Sequence, residues 1–312
     1  MWAKENDANA PAAAELNAGV GWPKRMNILG CGKAARTLAR VWRISGHIEI
    51  GGILNRSISS AREAAEFIGQ GSPVSRLRDL PEAELLLIGT PDDQIAAACA
   101  QAAQEGGLRP GMSVFHLSGA LSSEELAAAR SCGAFVASFH PIRSFADPEQ
   151  AARSLQGSFC TVEGEPKACE LLGLLGQASG CKVLELSPQQ KSLYHAGLVV
   201  VCNYLTALLE AGLRCLEAAG LPRHHAMIIT QPLIRETLEN VFRLGTVAAL
   251  TGPIARGDTR LVTLHLKAIG EKVPEIIPLY QAAGKIAVQL AQQQGRAPRE
   301  TLEKIMTLLE QP

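Results

Sequence analysis

From residue 25 to about residue 187 short β-type runs alternate with helical stretches, and after Ser187-Pro188 the strand signals stop. Such alternation builds a parallel sheet covered by helices, because parallel neighbours cannot be joined by a tight turn and need a crossover. The pattern predicts strands over 26–29, 47–54, 84–88, 113–117, 134–139, 158–162 and 182–186, with helices over 34–45, 57–68, 92–105, 122–131 and 165–178. Four of these helices open on Ser57, Asp92, Ser122 or Glu165-Pro166, residues suited to a cap or a first turn. Beyond Pro188 the periodicity is helical only: 188–219, a break at Gly220-Leu221-Pro222, 223–244, a Gly/Pro-rich stretch over 250–258, and helices over 258–269, 274–294 and 298–310. The expected fold is a doubly wound α/β sheet over 25–187 followed by an all-α second domain over 188–312, with 1–24 set apart as a disordered arm.

Two domains also suit 312 residues. Aromatic residues make up only 4 %, so the cores are expected to be mostly aliphatic. Lys plus Arg equals Asp plus Glu at 30 each, which leaves no net field to draw the chain to nucleic acid or an anionic membrane; a small molecule is the expected partner. The 8 cysteines have neither metal-ligand nor disulfide-scaffold spacing and read as buried reduced thiols of a cytoplasmic protein. His224-His225 reads as surface, and no metal site is expected. The uncharged run 196–209 is shorter than the roughly 20 residues of a membrane helix and contains Asn203, so a buried core helix is expected there. The first 24 residues lack a basic start followed by an apolar stretch, and no signal peptide is expected.

Directly after the first predicted strand comes Gly30-Cys31-Gly32-Lys33-Ala34-Ala35, which fits the dinucleotide fingerprint. Gly30 allows the tight turn, Gly32 lets a pyrophosphate approach the backbone, and Ala35 allows close helix-sheet packing. The following helix offers free N–H groups and a positive dipole end to phosphates. The fold is thus expected to be of the Rossmann type. The second strand ends in Asn55-Arg56-Ser57 with no acid for ribose hydroxyls; Arg56 can clamp a 2'-phosphate and Ser57 can donate to it, so NADP(H) is expected over NAD(H). Arg56 as a solvated helix-start residue is the plainer alternative. A third loop, Thr90-Pro91-Asp92, should border the same crevice, although Pro91 and Asp92 also simply start a helix.

Two further strand ends carry polar groups, His116-Leu117-Ser118-Gly119-Ala120 and Ser138-Phe139-His140-Pro141. Ser118, Gly119 and His140 are expected to meet a carboxylate or carbonyl; a turn at Ser118-Gly119 and a His140 that only satisfies loop backbone are the alternatives. The 188–219 helix opens with Lys191-Ser192-Leu193-Tyr194-His195, placing Lys191 and His195 one turn apart with Asn203 near that face. Hydride transfer to a carbonyl needs a proton donor, and lysine or histidine suits the task; a lysine at a frayed helix end above a packed histidine is the alternative. Arg256 and Asp258, in the Thr251–Asp258 loop, could pair with each other, reach a ligand, or belong to a hinge or dimer contact.

Together with Leu250-Thr251-Gly252-Pro253-Ile254-Ala255-Arg256-Gly257-Asp258 and His140-Pro141-Ile142-Arg143-Ser144-Phe145, these phrases resemble a family that pairs a Rossmann-like domain with a C-terminal domain of unknown function, number 2520. The resemblance covers essentially everything after residue 25. Its architecture is similar to that of ketopantoate reductases, pyrroline-5-carboxylate reductases, β-hydroxyacid dehydrogenases and proteins with a C-terminal domain like that of 6-phosphogluconate dehydrogenase. The hydroxyacid group implies a catalytic lysine followed four residues later by Asn; Lys191 matches the lysine, while His195 replaces the Asn, and Ser118-Gly119 resembles the carboxylate-binding turn. An alternative alignment sets Asn203-Tyr204-Leu205-Thr206-Ala207 on a ketopantoate reductase phrase and puts His195 at the lysine position. The first is preferred because it keeps a lysine where a proton donor is expected. The relatives also imply a homodimer.

The function expected is an NADP(H)-dependent oxidoreductase of a small oxo or hydroxy acid, with ketopantoate the first substrate to test. Lys191, His195 and Asn203 form the expected catalytic set, Ser118, Gly119, His140, Arg256 and Asp258 the substrate contacts, and Gly30, Cys31, Gly32, Lys33, Ala34, Asn55, Arg56, Ser57, Thr90, Pro91 and Asp92 the cofactor contacts. A non-catalytic NADP(H) sensor or scaffold is the alternative from another class, and a different nucleotide-like ligand at the glycine loop is a third.

Overall fold

The computed structural model describes residues 25–311, so the arm expected over 1–24 lies outside the described residues. The chain divides into two compact units, one ending at Leu198 and one spanning Val199–Pro312. The division falls inside the long helix rather than ahead of it.

In the first unit eight strands form one sheet in the order β3-β2-β1-β4-β5-β6-β7-β8. They are β1 (Arg25–Leu29), β2 (Glu49–Leu54), β3 (Ser72–Val74), β4 (Leu85–Ile88), β5 (Ser113–His116), β6 (Phe135–Pro141), β7 (Phe159–Gly164) and β8 (Lys182–Glu185). Helices α1 (Lys33–Ile44), α2 (Ile58–Ile68), α3 (Ile95–Gln104), α4 (Ala127–Ser131), α5 (Pro148–Arg153) and α6 (Pro166–Ala178) connect them, and α7 (Lys191–Leu198) closes the unit. All seven expected strands are present; β3, an edge strand of three residues, and α5 are too short to leave a periodic signal. Strands buried on both faces send alternate residues to opposite cores. On β4, Leu85 and Leu87 join Trp42, Phe115 and Phe139 on one face, while Leu86 and Ile88 join Val114, Leu126 and Val136 on the other.

The sheet departs from the expected all-parallel pattern at one seam. β6 and β7 pair antiparallel, and β8 runs parallel to β7. The seam is close: a β-carbon on Gly164 would strike Val136 O and Ala137. The six strands from β3 to β6 are all parallel, so the carboxyl ends of β2, β1, β4, β5 and β6 lie along one edge of the sheet.

The second unit is helical: α8 (Tyr204–Ala218), α9 (Arg223–Ala249), α10 (Gly252–Ala255), α11 (Thr259–Lys272), α12 (Ile277–Gln294) and α13 (Arg299–Glu310). Ile254, Val262, Val288, Ala291, Leu302, Ile305 and Leu309 form its core. A π-turn, Val199–Asn203, joins α7 to α8 in one helical run, Pro188–Ala218. The expectation that 196–209 is a buried core helix is wrong. The full run is long and apolar enough to cross a membrane, and only 11 % of its most apolar stretch is buried. Asn203 does not interrupt it, and the start is fixed by a reciprocal capping box between Ser187 and Gln190. Its distal half carries charge: Glu210 and Glu217 both pair with Arg223.

Candidate active site along the carboxyl edge of the sheet

At the tip of β1 the chain turns at Gly30, whose φ of +83° is left-handed and whose β-carbon would lie 2.7 Å from Thr90 N. Gly89 packs just as closely on Gly30 O. Only glycine fits this double approach of two strand ends. Gly32 is different. Its backbone is extended (φ −73°, ψ −171°), and an added β-carbon would meet nothing nearer than Gly89 O at 3.9 Å. Neither conformation nor protein packing demands glycine there. Gly32 caps α1 without a side-chain bond, leaving the first-turn N–H groups of Lys33, Ala34 and Ala35 for an outside acceptor. No acid stands in that turn. Beside it the Thr90 hydroxyl is buried with no hydrogen-bond partner. An open glycine, free N–H groups and an orphaned hydroxyl fit a phosphate-bearing ligand.

The other expected cofactor residues divide into braces and free groups. Asn55 accepts from Cys31 N at 2.6 Å, tying the glycine turn to the tip of β2, so neither group is free for a ligand through those atoms. The Cys31 thiol is buried, which pushes its pKa up to about 12. Ser57 caps α2, accepting from Ser60 N. Lys33 donates to Ala146 O at 2.8 Å, bridging the glycine turn to the loop after β6. Pro91 leads into the 3-10 turn Asp92–Gln94. Arg56 alone is exposed with no hydrogen bond or ion pair to the described residues.

Farther along the same edge the structure brings together Asp92, Ser118, Gly119, His140, Lys191 and His195. Lys191 is 1 % exposed, which excludes the frayed-end alternative. Its ammonium donates to Ser118 O at 2.8 Å and to Ser138 Oγ at 2.5 Å. Ser138 donates to Glu163, whose carboxylate also accepts from Ser123 N and Ser123 Oγ, both at 2.8 Å. Burial pulls the lysine pKa down to about 8, while Glu163 and Asp92 oppose that shift. A buried charge needs such partners to exist at all.

Ser118 is the organiser of its turn. Its hydroxyl donates to Asp92 at 2.7 Å and accepts from Ala120 N and Leu121 N, while Ser118 N donates to His116 Nδ1. The side chain is therefore already committed within the protein. His116 Nε2 donates to Ser122 O, which fixes a neutral tautomer, and burial lowers its pKa to about 4. Gly119 lies under two imidazoles: a β-carbon on it would sit 2.6 Å from His195 Cδ2 and 2.8 Å from His140 Nε2. His140 Nδ1 is 2.9 Å from the Tyr194 hydroxyl, so its partner is a side chain and not loop backbone.

Ser123, Ser138, Glu163 and Tyr194 are members of this cluster that sequence reasoning missed. Three expected residues lie in the second unit. Asn203 is exposed at the end of the π-turn, whose wider i→i+5 hydrogen bonding breaks the 3.6-residue register assumed from Lys191 and His195. Asp258 caps α11 through Leu261 N and the Arg256–Asp258 pair is not formed; Arg256 is exposed with no hydrogen bond or ion pair to the described residues. His224 and His225 stack on the surface as expected. Among the described residues no cluster of three or more His, Cys, Asp or Glu could hold a metal.

Comparison with protein families matches residues 15–141 to a Rossmann-like domain and residues 158–306 to a domain of unknown function, DUF2520. Comparison with the curated proteins gives no match. Among solved structures, a Thermotoga maritima protein is 24 % identical and superposes with a TM-score of 0.68, covering 87 % of this chain and 100 % of its own. A Bacteroides fragilis protein provisionally described as an NADP oxidoreductase is 20 % identical (TM-score 0.65, 87 % and 97 % covered). A 1-pyrroline-5-carboxylate reductase of Streptococcus pyogenes is 16 % identical (TM-score 0.56, 91 % and 98 % covered). At these identities the likeness is one of fold. The chain therefore joins a Rossmann-like domain to a DUF2520 domain.

Proposed function

We infer that the chain is an NADP(H)-dependent oxidoreductase of a small oxo or hydroxy acid. The observation that carries the dinucleotide is Gly32, a glycine that nothing in the protein requires, at the N-terminus of an uncapped helix. Gly30, Gly32, Lys33, Ala34 and Thr90 would hold the pyrophosphate end, and Arg56, the free guanidinium at the tip of β2, would take a 2'-phosphate. The nicotinamide supplies or accepts the hydride. Lys191 keeps one N–H direction beyond its two partners and holds positive charge beside the reacting carbonyl. His140 and His195 border the Gly119 turn where the substrate would lie. The solved relatives named as an NADP oxidoreductase and as a pyrroline reductase support this reading through their shared fold, and they add a cyclic imine to the substrates to test.

Calorimetry should detect NADPH binding, and Arg56→Ala should weaken it roughly tenfold to a hundredfold while changing NADH binding little. A panel of oxo acids, ketopantoate first, should then oxidise NADPH, and Lys191→Ala should abolish turnover with dinucleotide binding kept. Failure to bind either nicotinamide nucleotide would remove the proposal; binding without turnover on any substrate would favour a sensor. We also propose a cytoplasmic setting, in keeping with free cysteines of which four are buried.

A further inference from the structure

We propose that Tyr194 and His140 form a proton relay that ends at the Gly119 turn, with Tyr194 as the source and His140 as the group that meets the substrate. This rests on the oxidoreductase reading. Three observations carry it. His140 stands at the carboxyl end of β6, with Nε2 against the Gly119 backbone so closely that no β-carbon fits between. Its other nitrogen is 2.9 Å from the Tyr194 hydroxyl, which meets the ring edge-on. On β7, paired with His140, Thr161 carries a buried hydroxyl that has no hydrogen-bond partner.

A neutral imidazole has one donor and one acceptor nitrogen. Burial raises the Tyr194 pKa, so at neutral pH the phenol keeps its proton and can donate it to Nδ1, leaving the hydrogen on Nε2, the nitrogen at the turn. Burial first, and then the charges of Lys191 and His195, hold His140 neutral with a pKa near 4, against a weaker opposite pull from Asp92. A bound reduced nicotinamide would supply the hydride to a substrate's carbonyl carbon, leaving the oxygen in need of a proton. That oxygen takes the Nε2 proton, Nδ1 takes the hydroxyl proton of Tyr194, and the tyrosinate regains a proton from water. The imidazole ends neutral with its tautomer reversed, and it returns when Nδ1 releases its proton to water and Nε2 takes one up. Lys191 is less suited to deliver this proton, being enclosed with Ser118 O and Ser138 Oγ across it.

Nitrogen-15 NMR of the full chain, with and without NADPH, reads the tautomer directly. The expected result is His140 protonated on Nε2 near neutral pH, and a mixed or reversed tautomer in Tyr194→Phe with unchanged thermal stability. On a substrate found with the panel above, Tyr194→Phe and His140→Gln should each lower kcat about a hundredfold or more while KM changes less than about threefold. A proton on Nδ1 in the wild type, a tautomer indifferent to Tyr194→Phe, or kcat retained in both variants would overturn the relay. Absence of dinucleotide binding would instead defeat the oxidoreductase reading, and the tautomer measurement on the unliganded chain would still decide the hydrogen-bond direction.

Discussion

Lys191 occupies a position where a positive charge is costly, and its neighbours reveal what it does. Its charge is one cause of the low pKa of His140, so Lys191→Met should raise the His140 titration midpoint from about 4 toward 6.5, as followed by NMR. His116, fully buried and lowered to about 4, ties the turn to pH. Its unfolded form binds a proton from about pH 6.5 downward while the folded form resists until about pH 4, so stability falls as the pH drops through that window. The loss is on the order of 3 kcal/mol at its full extent, and urea denaturation at a series of pH values should show a flatter profile in His116→Gln. Of this cluster, Lys191, His195, His140 and the Ser118-Gly119 turn were legible, because strand ends and a helix start are places where polar residues stand out. Tyr194 was hidden as an aromatic in an apolar helix. Glu163, just past the strand predicted over 158–162, drew no reading, since nothing in Cys160-Thr161-Val162-Glu163 announces that β7 runs against β6 and delivers it to Ser138.

Elements were more legible than their directions. Hydrophobic runs and caps located seven strands within a few residues, but strand direction depends on where the connection lands, and the short α5 that makes the reversal possible carries no periodicity. The Thr251–Asp258 phrase shows a second limit. Gly257, at φ +71°, presses on Thr301; Ile254 enters the core; Asp258 caps α11. These roles account for much of a phrase first read as a site. Asp258→Ala should cost about 1 kcal/mol in chemical denaturation. Arg256→Ala should change stability by less than about 0.5 kcal/mol, so any loss of activity in that variant would mark a contact with ligand or partner.

At the scale of the molecule the departure from expectation is on the surface. Tyr204 and Leu208 on α8, and Ile228, Ile229, Leu233 and Phe242 on α9, are large, apolar and exposed. So many large apolar side chains left open on two helices are more than scattered surface hydrophobics. We propose that a second copy of the chain covers them; the pairing of Glu210 and Glu217 with Arg223 beside these residues suits water better than lipid. Sedimentation should show a dimer that Ile229→Asp with Leu233→Asp shifts to monomer, and a wild-type monomer at micromolar concentration would refute this. The α/β-then-α plan itself followed from composition and periodicity, whereas exposure depends on what lies alongside a helix.

The row of strand tips acts as a ruler. From Arg56 at the end of β2 to His140 at the end of β6 there are four strand-to-strand steps, roughly 19 Å at the spacing of a hydrogen-bonded sheet. A compound anchored at the first tip must be about that long before its far end can be handled at the last, so a lone mononucleotide would fill one end of the row and leave the imidazoles idle.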